Sequence, residues 1–536
     1  MIAALVCIAL TAHLVPLTVS PLPLSVDGFA LARISRDMAS AGSWRIDPAN
    51  VNSYNQKLPG YSLLWSAVFQ VAGLSPLVHA QLVLPLVTAA VVLPAYLLGV
   101  KATGRRIAGV AAGLFIALFG SFLLLTSSVA KESIGLLVFP MAVLLFHERS
   151  DPRKRALAVL LLAFLPFLHS LTTFLTLGMI AALMVLTQRR ALARGRFSWK
   201  AFALDVVSGP ALAVGAWAYY ASVDLPFLAD VLAPQALTLF VAVVVLLTAL
   251  IAPLAKPAKR RIGKGLVRPA SKIFLPPVLG FFLLISNSTV VLFVGTNRTP
   301  PAFFLILPAL FGFAAFAIVG LQMVRRTTNR TNDLVVAMLV APVALILFGF
   351  LRGLDPSGLL FVYRAFDFMD YAFAVLVGVA FTASWKVLRV SRASRGALLA
   401  GFVVALLSTT PMAWNTPEVF GVQNVTTSDE FQALALLGSL GARNVTTDQR
   451  MADVGRMWFG YVANPDLPQK LRDHASLEGA DYALVLERWT TIGAQIHPAP
   501  NIVLAPETLA AFLATNRVVY ETGLPGDRIL VVQILP

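Results

Sequence analysis

Long apolar runs alternate with short polar interruptions from the first residue to about residue 414, and the chain then changes character. A helix that crosses a bilayer needs roughly 20 apolar residues. Runs of this kind lie near 1–19, 79–100, 107–127, 201–222, 232–255, 273–295, 302–324, 333–351, 366–385 and 397–414, with shorter ones at 133–147, 156–168 and 171–187. The last two sit between basic loops. They must go out and back, turning near Phe167-Leu168-His169-Ser170. The pattern predicts a polytopic α-helical membrane protein with about 13 transmembrane helices.

Two polar stretches interrupt it. The first is the loop 20–78, between the first two firm spans. Inside it, Asp27 is expected to cap a helix that Gly42 ends. Leu31, Ile34 and Met38 share one face of that helix, and Arg33 and Asp37 stand four apart. Residues 59–75 (PGYSLLWSAVFQVAGLS) are apolar but short, and read as a half-inserted helix. Were they to span, the count would rise by one and the loop 20–58 would turn cytoplasmic. The second stretch is the tail. It reads as a small α/β domain: a helix at 428–440 ended by Gly441, strands at 442–447 and 481–487, a helix after Pro506, and closing strands VVYE and ILVVQI. The division is therefore a transmembrane domain 1–414 and a C-terminal domain 415–536.

Composition agrees with a membrane class. Of 536 residues, 58% are hydrophobic and only 13% charged, against about 25% charged in soluble proteins. The net charge of +16 suggests nucleic acid until its location is considered. Most of the 42 Lys and Arg residues sit in six short loops: 101–106, 147–155, 188–200, 256–272, 325–330 and 386–395. Such loops mark the cytoplasmic side, so a nucleic-acid partner is excluded. The N-terminus is then inside, and the loop 20–78 and the tail are extracytoplasmic on a multi-pass protein of the cell membrane. Cys7 is the single cysteine, so no internal disulfide forms. No basic residue precedes the first apolar run, which is expected to stay as an anchor rather than leave as a signal peptide.

Several polar residues at membrane depth are candidates for chemistry. Asp27, at a span exit, is either a helix cap or a general base for an acceptor hydroxyl. His169 lies at the turn between two short helices; it either donates to a phosphate oxygen or bonds a carbonyl or Ser170. Arg364 follows Arg352 and precedes Asp367 and Asp370. It suits bidentate phosphate recognition, or pairs with one of the two aspartates. Thr447–Arg450 reads as a turn, with sugar binding as the alternative. No Gly-rich nucleotide loop, Ser-His-Asp set or cysteine-based metal site is visible.

The first loop also carries a resemblance. An apolar helix is followed by Asp27 near its outer end, then an amphipathic helix closing on Gly42 and Trp44. Leu58-Pro59-Gly60-Tyr61 and Gly73-Leu74-Ser75-Pro76 come next, then a span ending in Gly104-Arg105-Arg106. Over residues 1–150 this order resembles the GT-C superfamily of integral-membrane glycosyltransferases. Members include protein O-mannosyltransferases, lipid A aminoarabinose transferases and oligosaccharyltransferase subunits. Where many relatives have a double proline, this chain has Pro59-Gly60. The resemblance implies transfer of a sugar from a polyprenyl-phosphate or polyprenyl-diphosphate donor to a glycan, lipid or protein acceptor on the outer face. Asp27 matches the catalytic first-loop acid. In relatives the next outer loop often carries a second acid, sometimes a metal ligand. Here Lys131 is a candidate for the lipid phosphate and Glu132 for acceptor or metal. The alternatives are a Lys131 that snorkels to headgroups and a Glu132 that opens a helix favoured by the dipole. The Asp-rich form of that loop is missing, which leaves open whether a divalent metal takes part. Arg456–Tyr461 has only a faint likeness to the Trp-Trp-Asp-Tyr-Gly signature and lacks its Asp, which argues against N-linked oligosaccharide transfer. Two other classes remain: a transporter or flippase for a lipid-linked or amphiphilic solute, and a non-catalytic relative that displays its tail for binding.

Overall fold

The computed structural model describes residues 1–225, 234–251, 271–292, 298–324, 331–351, 356–387, 391–477, 479–496 and 501–535. Arg352, most of the basic loop 256–272 and the loop 325–330 lie outside the described residues. The described chain is mainly helical. Among the described residues six helices are long and apolar enough to cross a membrane, or seven if one bent pair is a single span. Shorter apolar helices include Ile2–Thr18, Leu239–Leu250 and Val278–Thr289.

The bent pair falls in the run 107–127, expected to be one span. Its two halves, Arg106–Leu118 and Gly120–Ser127, meet at 64°. The cause is close packing. A Cβ on Gly120 would lie 1.8 Å from the carbonyl oxygen of Thr409. The Gly120 amide donates to Thr409 Oγ1 at 3.1 Å. A backbone amide diverted to a neighbouring hydroxyl breaks the helical ladder where it occurs.

The first loop folds into three helices: α2 (Val26–Ala41), α3 (Ser53–Gln56) and α4 (Gly60–Ala72), after α1 (Ile2–Leu14). Helix α2 ends at Gly42, whose φ of +63° is the left-handed C-cap that favours glycine. Its N-cap, however, is Ser25 and not Asp27. Asp27 lies one turn position inside, so the capping role expected for it does not hold. Helix α4 has 13 residues, a length of about 20 Å, less than a hydrocarbon core.

Two hydrophobic cores meet at α2. Leu31 belongs to the core of the long helices. Phe29 and Ala32 belong to a second core, shared with the C-terminal residues. Phe29 stacks on Phe431 with ring centroids 5.9 Å apart. The C-terminal unit is a five-stranded sheet in the order β2-β1-β3-β5-β4. The strands are β1 (Asn444–Thr446), β2 (Val462–Asn464), β3 (Tyr482–Leu486), β4 (Arg517–Thr522) and β5 (Ile529–Gln533). Strand β1 runs parallel to β2 and β3, and β5 runs antiparallel to β3 and β4. The helix Ser428–Ser439 opens on a capping box between Thr427 and Glu430. Glu430 is fully buried and pairs with the equally buried Arg450 at 2.5 Å. Asp448 caps the next helix by accepting from the Met451 amide, and also accepts from Trp489 Nε1. The segment Thr447–Arg450 is thus a helix start built into the sheet's packing.

Candidate functional site

Helix α2 reaches the long helices through Gly28. A Cβ there would meet Pro23 Cβ at 2.5 Å and Val129 Cβ at 2.9 Å. Only a glycine permits this approach, which sets Asp27 beside the residues that follow Val129. The Asp27 side chain is exposed and makes no hydrogen bond or ion pair among the described residues. Its charge is felt by Tyr54, Lys131, Glu132 and Arg364.

Lys131 and Glu132 open α9 (Lys131–His147). Lys131 is only 6% exposed. The alternative in which it snorkels to lipid headgroups therefore does not hold. Instead Nζ donates to Asn55 Oδ1 at 2.6 Å and lies 4.5 Å from the centre of the Tyr54 ring. No carboxylate forms an ion pair with it among the described residues. Glu132 is equally buried, and its Oε2 accepts from Arg364 Nη1 at 2.5 Å. Its Oε1 has no hydrogen-bond partner among the described residues.

Arg364 projects from the helix Pro356–Val387. It also stands 4.0 Å from Asp367, as the spacing suggested. Asp370 is buried without an ion pair among the described residues, so of the two aspartates open to Arg364 it is Asp367 that lies near. His169 forms the break between α10 (Pro152–Leu168) and α11 (Ser170–Ala193). Its Nδ1 meets the Thr172 hydroxyl at 2.7 Å, not Ser170. Lys131 and Arg364 both act on it electrostatically. Asp27, Lys131, Glu132, His169 and Arg364 therefore gather in one cluster from α2, α9, the α10–α11 break and a distant helix.

Sequence reasoning missed the short helix α3. Tyr54 and Asn55 supply the contacts to Lys131, and burial pushes the Tyr54 hydroxyl up. The same segment is anchored on both flanks. Asn52 Nδ2 donates to the Met457 carbonyl at 2.9 Å, and Tyr219 donates to the Lys57 carbonyl at 2.8 Å. Arg33 likewise donates to the Trp458 carbonyl at 2.8 Å, and Arg36 lies 4.7 Å from the Trp458 ring centre. Arg456–Tyr461, whose likeness to the signature is faint, thus helps Phe431 hold the first loop against the C-terminal unit.

Next to the cluster, an apolar cavity of about 680 Å³ runs along α11 from Thr173 to Leu192. Phe174, Trp217, Tyr220 and Phe240 line it, with Gln188 and Arg189 at its far end. A second, more polar cavity of about 1170 Å³ opens on the C-terminal unit beside Arg443, Lys470, His474 and Tyr482.

Among the described residues no three His, Cys, Asp or Glu side chains gather to hold an ion, and Glu132 is already paired with Arg364. Compared with known proteins, the chain matches no family model and no curated relative.

Proposed function

We propose that the chain is a membrane glycosyltransferase. It moves a sugar from a polyprenyl-phosphate or polyprenyl-diphosphate donor to an acceptor hydroxyl on the outer face, as the resemblance to GT-C enzymes implies. In this reading the chain has about 13 spans, and the first loop and C-terminal unit are extracytoplasmic. The observation that carries the proposal is the pairing of opposite needs around Asp27. Among the described residues, a carboxylate without a partner faces solvent beside a buried ammonium whose polar contacts are a neutral amide and an aromatic ring. A buried cation without a counter-ion is costly until an anion arrives.

The chemistry follows from that arrangement. Asp27 takes the proton of the acceptor hydroxyl as the oxygen attacks the sugar's anomeric carbon. The bond from that carbon to the phosphate oxygen breaks, and the leaving phosphate carries away the electron pair. Lys131 stabilises the charge that grows there, with His169 as a further donor. Glu132 holds Arg364 at the edge of the same site. The isoprenoid chain occupies the apolar cavity along α11, and the C-terminal cavity offers polar groups to an acceptor.

The test is release of the sugar from a polyprenyl-phosphate donor by purified protein, to an added acceptor alcohol or to water. Wild type turns over the donor. Asp27→Asn reaches the membrane in equal amount and loses at least about a hundredfold in rate. Equal turnover by the variant removes Asp27 from the mechanism.

A transporter or flippase is the second reading, favoured by one feature: the 64° bend between Arg106–Leu118 and Gly120–Ser127. Broken helices line transport paths. Under this reading the lipid-linked solute crosses unchanged, and no sugar is released in the same assay.

A further inference from the structure

Asn55 is 6% exposed. It meets the buried Lys131 ammonium, which has no carboxylate in contact among the described residues, with a neutral oxygen at 2.6 Å. An ammonium has three donors. One goes to Asn55 and the Tyr54 ring face covers another side at 4.5 Å; the ammonium has no further partner among the described residues. The neighbouring Glu132 shows the contrast. It sits one residue on, with a full charge partner in Arg364 at 2.5 Å. The segment bearing Asn55 is fixed rather than loose. Asn52 is bonded to the C-terminal unit, Trp44 Nε1 donates to the Gln56 carbonyl at 2.9 Å, and Tyr219 holds the Lys57 carbonyl. Each tie limits where the Asn55 oxygen points, and so where the ammonium points.

We propose that Asn55 is a positioning residue of the anion site: it aims the Lys131 ammonium without neutralising it, which keeps that charge for a phosphate group on an isoprenoid lipid. The proposal rests on the reading of Lys131 as the phosphate site. An aspartate at this position would have nearly the same shape. It would close an ion pair with Lys131, and an incoming phosphate would then have to displace it. Asn55 is thus a specificity determinant for charge, not a packing residue. The apolar cavity that begins at Thr173, one turn beyond His169, supplies the place for the attached chain.

Binding tests this without need of turnover. Farnesyl phosphate, farnesol and inorganic phosphate are titrated into the full-length protein in neutral detergent. Wild type is expected to bind farnesyl phosphate well above the other two. Asn55→Asp is expected to weaken farnesyl phosphate by about tenfold or more and to leave farnesol unchanged. Asn55→Gln, still neutral, retains most of the wild-type affinity. If Lys131→Ala abolishes binding but Asn55→Asp does not weaken it, the role of Asn55 is overturned and the anion site stands. If Lys131→Ala also has no effect, the anion site itself falls, and the proposed transferase reading loses its main support. Inorganic phosphate binding as tightly as the lipid overturns the assignment of a lipid ligand.

Discussion

Lys131 and Asp27 carry opposite charges within electrostatic reach of each other, yet no ion pair joins them. The proposed transferase chemistry needs this separation, because an acid and a cation in contact would satisfy each other. Elsewhere the chain does close its buried pairs. Arg450 is 2% exposed, Glu430 is fully buried, and they lie 2.5 Å apart. Burial alone would raise the Glu430 carboxyl, but Arg450 outweighs it, with Arg488 adding, and holds the group below the usual range. A carboxyl depressed in the folded state stabilises above its unfolded value of about 4.3, and that stability is lost as pH falls through the folded value. Buried Asp448 is pushed the other way, and so gains on acidification. Glu430→Gln should therefore destabilise the C-terminal unit at pH 7. It should also lose less further stability than wild type on acidification to pH 3, as read by thermal melts. Parallel pH curves for the two proteins would contradict the assignment. Arg450→Ala strands a buried carboxylate and is expected to cost about 3–5 kcal/mol.

At the scale of elements, α2 is a wedge whose two faces belong to different cores. Its amphipathic pattern is legible in the sequence: Leu31, Ile34 and Met38 are all buried, and the Gly42 stop follows from local grammar. Its second contact face is not legible, because Phe29 and Arg36 find their partners at Phe431 and Trp458, some 400 residues away. The same holds for α3. Tyr54 and Asn55 are ordinary loop residues until Lys131 is placed against them. A lone neutral amide carries no pattern that spacing can reveal. Two glycines separate the local from the long-range contribution. Gly42→Ala forces a left-handed residue and is expected to cost about 1 kcal/mol with little effect on ligand binding. Gly28→Ala puts a methyl group against Pro23 and Val129. It should displace α2, cutting turnover of the polyprenyl-phosphate sugar by at least about tenfold. Unaltered turnover in Gly28→Ala would show that the approach of α2 is not needed.

Across the whole molecule, the contrast of apolar runs with a polar tail is visible in hydropathy, as are four of the five strands, because each depends on short-range periodicity. The break at Phe119 is not, since Gly120 bends the run only in response to Thr409. Strand β2 escapes as well. It has three residues, Val462–Asn464, and pairs only at the edge of the sheet with β1. The convergence of Asp27, Lys131, Glu132, His169 and Arg364 could be guessed only through a shared side of the membrane. That sidedness is the claim on which the account depends most. Single cysteines at Ser43 in the first loop and Ser428 in the C-terminal unit, both exposed, would be placed in a Cys7→Ser background. Intact cells are then treated with a membrane-impermeant maleimide. The account predicts that both positions label before permeabilisation, with Asp27 and the C-terminal unit facing the outer side together. Labelling of Ser43 and Ser428 only after permeabilisation would put the acid on the cytoplasmic side and contradict an outward-facing transferase.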